Sequence, residues 1–224
     1  MLLKRRPPRI DPTRPIEINP GFQHLDRNVM VVLRWLKENK VDFVLVGPVA
    51  EAVHTRSGTS RPVAIVPAPY GRNMERLARA LNAGEARMRD DDGTPDPHPA
   101  PTGRITEEHL MMEYIWTLWC GPYPIDVVGT AAPTASGAAG ASGYQELLYE
   151  AIRFDLSPEI TVEVASPEDI EHYSHLRRTG SPPEMTVSRQ RPALPRRPTH
   201  PTRAPGTDRA ATGAPGHGSP PGSG

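Results

Sequence analysis

The sequence predicts an α/β (α+β) domain with a mixed β-sheet of about five strands flanked by helices, and three observations lead there. Short apolar runs rich in β-branched residues, such as Val41-Asp42-Phe43-Val44-Leu45-Val46, alternate along the chain with stretches of helical periodicity. Gly, Pro and Asn punctuate the joins, as at Asn39-Lys40, Gly47-Pro48 and Gly121-Pro122. Large apolar residues concentrate between 22 and 180, and Pro does the reverse: of 28 prolines, five lie in the first 20 residues and ten from Ser181 onward. Those flanks hold too little apolar surface to offset the entropy lost on ordering them. The expected organisation is a disordered, basic, Pro-rich tail over 1–21, one domain over 22–180, and a disordered Pro/Arg/Gly-rich tail over 181–224.

Within the domain, Leu25, Val29, Val32, Leu33 and Leu36 recur at helical spacing and predict a helix over about 24–39. Val41–Val46 reads as a buried strand. Pro48 suits the first turn of a short helix carrying Val49, Ala50, Ala52 and Val53 and ending near His54. A polar loop leads to a second strand over 62–66, where Pro62 implies a strand start or a sheet edge. Gly71–Ala83 is amphipathic, with Met74, Leu77, Ala78 and Leu81 on one face and Arg72, Glu75, Arg76 and Arg79 on the other. Residues 89–106, with Asp90-Asp91-Asp92-Gly93 and four spaced prolines, read as a disordered insertion loop. Met111–Cys120 predicts an aromatic-rich strand, with a return strand over 125–128. A small-residue loop over 129–142 precedes a helix bearing Tyr144, Leu147, Leu148 and Ala151, and Ile160, Val162 and Val164 alternate as a last strand. Ser166-Pro167-Glu168-Asp169 then starts a final helix: Ser caps, Pro takes the first helical position, and the acid three residues on completes a capping box.

Charge is balanced overall but not locally. Lys4, Arg5, Arg6, Arg9 and Arg14 make the N-terminus basic, and Arg189, Arg191, Arg196, Arg197, Arg203 and Arg209 do the same for the C-terminal segment. Such arms offer weak contact with nucleic acid, although no aromatic residue interleaves with the C-terminal arginines to stack bases. The single cysteine, Cys120, forms no intrachain disulfide. No apolar run has the length of a signal peptide or of the ~18-residue membrane span, so a cytoplasmic protein without membrane contact is expected.

Four segments carry the candidate chemistry: Val44-Leu45-Val46-Gly47-Pro48-Val49-Ala50 followed by His54; Ser60-Arg61-Pro62-Val63-Ala64-Ile65; Ile125-Asp126-Val127-Val128; and Val164-Ala165-Ser166-Pro167-Glu168-Asp169. In this order and spacing, over about residues 26–180, the chain resembles the bacterial minimal nucleotidyltransferase-like families, including nucleotidyl-transferase toxins. The resemblance implies a Gly-Gly turn for the triphosphate, then Thr-Arg-Asp-x-Asp, then a third Asp on a later strand. Two carboxylates two residues apart share a strand face and hold divalent ions that activate the attacking oxygen and neutralise phosphate charge. By resemblance, Gly47, His54, Ser60 and Arg61 are the nucleotide-binding positions and Asp126 the surviving, weak metal ligand. The two metal positions carry Pro62 and Ala64, and Pro48 replaces the second Gly and removes an N–H. Ser174 stands where a Lys is common.

Other constellations are thinner. His172 and His175 at i and i+3 share a helix face but lack an identifiable third ligand. Cys120 reads as a buried thiol rather than a nucleophile, and Tyr114, Trp116 and Trp119 as sheet residues with the two tryptophans on opposite faces. The expectation is a catalytically inactive nucleotidyltransferase-fold protein, binding a nucleotide or a protein partner and needing no cofactor. One alternative is an active, Mg2+-dependent nucleotidyltransferase with a rearranged site. Another is a scaffold that engages nucleic acid through its basic tails.

Overall fold

The computed structural model describes residues 6–59, 61–89, 104–112 and 115–179. Six helices and seven strands follow in the order α1 (Arg27–Glu38), β1 (Phe43–Val46), α2 (Gly47–Thr55), β2 (Val63–Pro67), α3 (Gly71–Ala83), β3 (Arg87–Met88), α4 (Glu107–Met112), β4 (Ile115–Cys120), β5 (Tyr123–Val128), α5 (Gly140–Glu150), β6 (Ile152–Ser157), β7 (Ile160–Val164) and α6 (Pro167–Thr179). The strands form one mixed sheet in the order β3-β4-β5-β2-β1-β7-β6, with β1–β7 and β2–β5 parallel and the other neighbours antiparallel. The α+β class expected from the sequence is observed, with seven strands instead of five.

The central strands are the most apolar, as their position requires. Every residue of β1 and β2 is buried. β2 lies in the middle of the sheet, so of the two positions that Pro62 suggested the strand start holds and the sheet edge does not. Pro62 sits just before the strand, where its missing N–H costs no ladder bond. α1 begins at Asp26, whose carboxylate accepts the Asn28 N–H at 2.6 Å, and it buries Met30, Leu33, Trp35 and Leu36. At the start of α6, Ser166 Oγ accepts the Asp169 N–H at 3.3 Å, the expected cap, and its hydroxyl donates to Asp169 Oδ2 at 2.8 Å in place of the backbone bond of a full capping box.

Three elements depart from the sequence reading. The stretch before β4 is helical over Glu107–Met112 rather than extended, and β3 and β6 are additional strands. The segment 89–106 is not a loop throughout. Arg89 is buried beside β4, and Ile105 is buried with its N–H donated to Asn82 Oδ1 at 3.0 Å. Residues 90–103, with the aspartate run, lie outside the described residues, as does Tyr114.

The largest departure is at the N-terminus. From Arg6 to Gly21 the chain is a strap laid along α1 and β6, not a free tail. The Arg34 guanidinium, on a residue only 4% exposed, donates to the carbonyls of Asp11, Arg14 and Pro15 at 2.8–3.3 Å. The Trp35 indole and Asn39 amide both donate to Pro8 O at 3.1 Å, and Asn19 bonds the backbone of Asp155 and Leu156 on β6. The prolines lower the entropy lost on ordering this segment and leave its carbonyls free to accept. Residues 1–5 and 180–224, including the C-terminal arginines, lie outside the described residues. Among the described residues no helix is long and apolar enough to cross a membrane.

Candidate functional site

The sheet register assembles one row of side chains across four strands. Val46 of β1 pairs with Ala64 of β2, Ala64 with Asp126 of β5, and Asp126 with Thr117 of β4. Next along the row, Arg89 donates its N–H to Thr117 O at 2.9 Å and its carbonyl accepts the Thr117 hydroxyl at 3.0 Å. Residues paired across strands project to the same face. The Asp126 carboxylate therefore has the Ala64 methyl on one side and reaches Arg89 over Thr117 on the other.

Both Asp126 oxygens are engaged. Arg89 Nη2 donates to Oδ1 at 2.5 Å, and Arg177 Nε, from the last turn of α6, donates to Oδ2 at 2.7 Å. The Arg177 bond has the length of a charge-assisted hydrogen bond, and the Arg89 contact is closer still. The Asp126 and Arg89 side chains are 2% and 7% exposed, whereas Arg177 is 39% exposed at the mouth of the site. The Arg89 guanidinium also lies 5.9 Å from the Trp119 ring, which shares the Asp126 face because it sits two residues beyond Thr117. A carboxylate this deeply buried needs cationic partners, and here both come from the chain itself. Two guanidiniums and one carboxylate give the row a charge of +1.

This donor set does not fit a divalent ion pair. Pro62 and Ala64 offer no side-chain oxygen, and Asp126 is committed to two arginines. Among the described residues no three His, Cys, Asp or Glu gather as a metal site.

Of the positions named from sequence, Gly47, Ala64 and Asp126 come together. Gly47 adopts φ +67°, and a Cβ there would stand 3.1 Å from the Ala64 Cβ, so the turn requires Gly for both conformation and space. Pro48 follows in the first turn of α2, whose N-cap, Val46, has no side chain to offer. His54 belongs elsewhere: its Nε2 donates to Ala165 O at 2.9 Å and its ring meets Phe154 edge-on. It ties the end of α2 to the β7–α6 junction and is not aimed at Asp126. Arg61 is exposed before β2, Pro62 is half-buried, and Ser60 lies outside the described residues.

His172 donates from Nε2 to Pro133 O at 2.7 Å and pins the loop between β5 and α5, so it does not pair with His175 on a metal. Burial pushes the Cys120 thiol up to about 12, an inert group. The residues missed from sequence are Arg89 and Arg177. They are 88 positions apart by number and converge only through the register of β4 with β5 and the path of α6. No protein-family model and no curated protein matches the chain.

Proposed function

We propose that this chain is a cytoplasmic nucleotidyltransferase-fold protein without nucleotidyl-transfer chemistry, acting as a binding module for a nucleotide or a protein partner. The observation that carries the reading is the state of Asp126. Ala64 stands beside it in register where the resemblance calls for a second carboxylate, and two arginines take both of its oxygens. Arginine supplies fixed positive charge where a transferase would hold exchangeable metal ions. Fixed guanidiniums neutralise phosphate charge but neither ionise an attacking hydroxyl nor exchange with product.

The test is incubation of the purified chain with labelled nucleoside triphosphates, Mg2+ or Mn2+, and RNA or protein acceptors. No label transfer above that of an Asp126→Ala control is expected. Metal-dependent transfer that disappears in Asp126→Ala overturns the proposal and restores the active-enzyme reading.

A further inference from the structure

A cavity of about 340 Å3 opens toward the other end of β1 from Gly47, beside α5. The Asp126 row crosses β1 at Val46, four residues beyond Asp42 of the cavity wall, or about 13 Å along a strand. The volume lies near the lower end of the ~300–1,000 Å3 of small-molecule sites. Phe43, Ala68 and Leu148 supply apolar surface. Tyr70 and Tyr144 meet edge to face with ring centroids 6.3 Å apart, and the Gln145 amide donates to the Tyr70 hydroxyl, which holds that half-exposed ring in place.

Tyr144 is the informative residue. It is only 7% exposed and lines the cavity; among the described residues its hydroxyl makes no hydrogen bond, and because Trp116 Nε1 is the one sealed polar atom left without a partner there, the Tyr144 hydroxyl keeps contact with the open cavity. A hydroxyl open to a cavity is free to donate to a ligand seated there. Burial, with the Asp42 and Glu163 carboxylates nearby, pushes this phenol up to about 12, so it is a neutral donor at any physiological pH. Both carboxylates line the same cavity, and their nearest cations stand off: Arg76 is 4.0 Å from Asp42, and Arg153 is 3.9 Å from Glu163. Charge-assisted hydrogen bonds are about 2.7–2.9 Å long, so both carboxylates keep acceptor capacity. The remaining charged lining groups are Lys37, whose ammonium lies 6.0 Å from the Phe43 ring, and Arg153, which is largely exposed.

We infer that this cavity binds a small zwitterion, an α-amino acid with an apolar side chain. Two carboxylates and two cations line it, so a ligand of one charge sign meets as much repulsion as attraction. A zwitterion satisfies both sets at once. Its ammonium faces Asp42 and Glu163, its carboxylate accepts from Lys37, Arg153 and the Tyr144 hydroxyl, and its side chain covers Leu148 and the tyrosine rings. The site is separate from Asp126, and the inference does not rest on the nucleotidyltransferase reading.

Calorimetric titration of the full chain tests it, with L-leucine, 3-methylbutylamine (leucine without its carboxylate) and 4-methylpentanoate (leucine without its amine). Saturable binding of leucine is expected, with each analogue at least about tenfold weaker. Glu163→Gln, Lys37→Gln and Tyr144→Phe should each weaken leucine binding several-fold, with far-ultraviolet circular dichroism unchanged. Lys37 and Glu163 are not core residues, so their variants carry the test if Tyr144→Phe disturbs packing. Absence of saturable leucine binding up to about 10 mM overturns the inference. So does an amine or an acid that binds as tightly as leucine, or leucine binding that the folded variants leave unchanged.

Discussion

At the scale of single residues, Asp126 shows how a buried charge is made tolerable. Its carboxylate is out of water and is held by a buried arginine on one side and a partly exposed one on the other. Removing the acid strands the Arg89 guanidinium in a site 7% exposed, whereas removing Arg177 leaves a gap that water can reach. Asp126→Ala should therefore destabilise the fold by about 3–5 kcal/mol. Arg177→Gln, discounted for its exposure, should cost about 1 kcal/mol. Urea unfolding monitored by tryptophan fluorescence measures both, and equal losses would contradict this ranking. His172 supplies a pH signature. Burial, opposed by its bond to Pro133 O and by Asp169 and reinforced by His175, holds its imidazole below the ordinary 6.5. The unfolded chain thus takes up a proton first as pH falls below about 6.5. The His172 contribution is complete above that pH and declines as pH falls toward the lower folded value. His172→Gln should flatten this part of the profile, read as a smaller difference between urea midpoints at about pH 7.5 and about pH 5 than in the parent chain.

At the scale of elements, the N-terminal strap is part of the fold. Without it, Arg34 has no carbonyl partners and Trp35 loses its indole acceptor. Deleting residues 1–21 should therefore lower stability by more than Arg34→Met alone. The point variant removes both the charge and the need for the strap's carbonyls and should cost about 1–3 kcal/mol. Melting temperatures of the two proteins give the comparison, and a truncated chain as stable as the parent would refute a structural strap. The strap also explains where sequence reading fails. Composition marks 1–21 as unable to form a core of its own, and it forms none; its order comes from carbonyls accepting from α1, from Arg14 paired with Glu38 and Glu159, and from Ile10, Ile16 and Ile18 packed against the core of the domain, which composition does not encode. α3, β1, β7 and the capped start of α6 were legible because periodicity and caps are local. β6 carries an alternating Ile-Arg-Phe-Asp-Leu-Ser pattern that went unread behind the helix before it, and β3 is too short to have a period. Gly47, Ala64 and Asp126 were grouped by the family resemblance, since no local signal in the sequence brings their strands together. Arg89 and Arg177 were not, because their meeting depends on register and on the length of α6.

At the scale of the whole molecule, the proposed absence of metal chemistry has two separable causes, the want of side-chain ligands and the arginines that hold Asp126. Two parts of the molecule far apart in sequence, the bridge after β3 and the end of α6, converge on one carboxylate. Restoring an acid alone should then fail. Ala64→Asp places a second carboxylate beside Asp126 in register and on the same face, but within reach of the same guanidiniums, which a fixed +1 cluster uses to neutralise it. The new acid should satisfy the excess positive charge and bind Mn2+ no better than the parent chain. Combining Ala64→Asp with Arg177→Gln removes the cation at the exposed mouth and leaves two carboxylates against the single Arg89, so the cluster turns from +1 to −1. Mn2+ affinity, followed by electron paramagnetic resonance, should rise at least tenfold in the double variant over either single one, a coupling of about 1.4 kcal/mol or more between positions on β2 and α6. Tight Mn2+ binding by Ala64→Asp alone would mean that the arginines are bystanders and that the want of a second carboxylate is enough to keep a metal out. No gain in the double variant would mean that Arg89, buried with its guanidinium 5.9 Å from the Trp119 ring, is sufficient to hold the site against a metal.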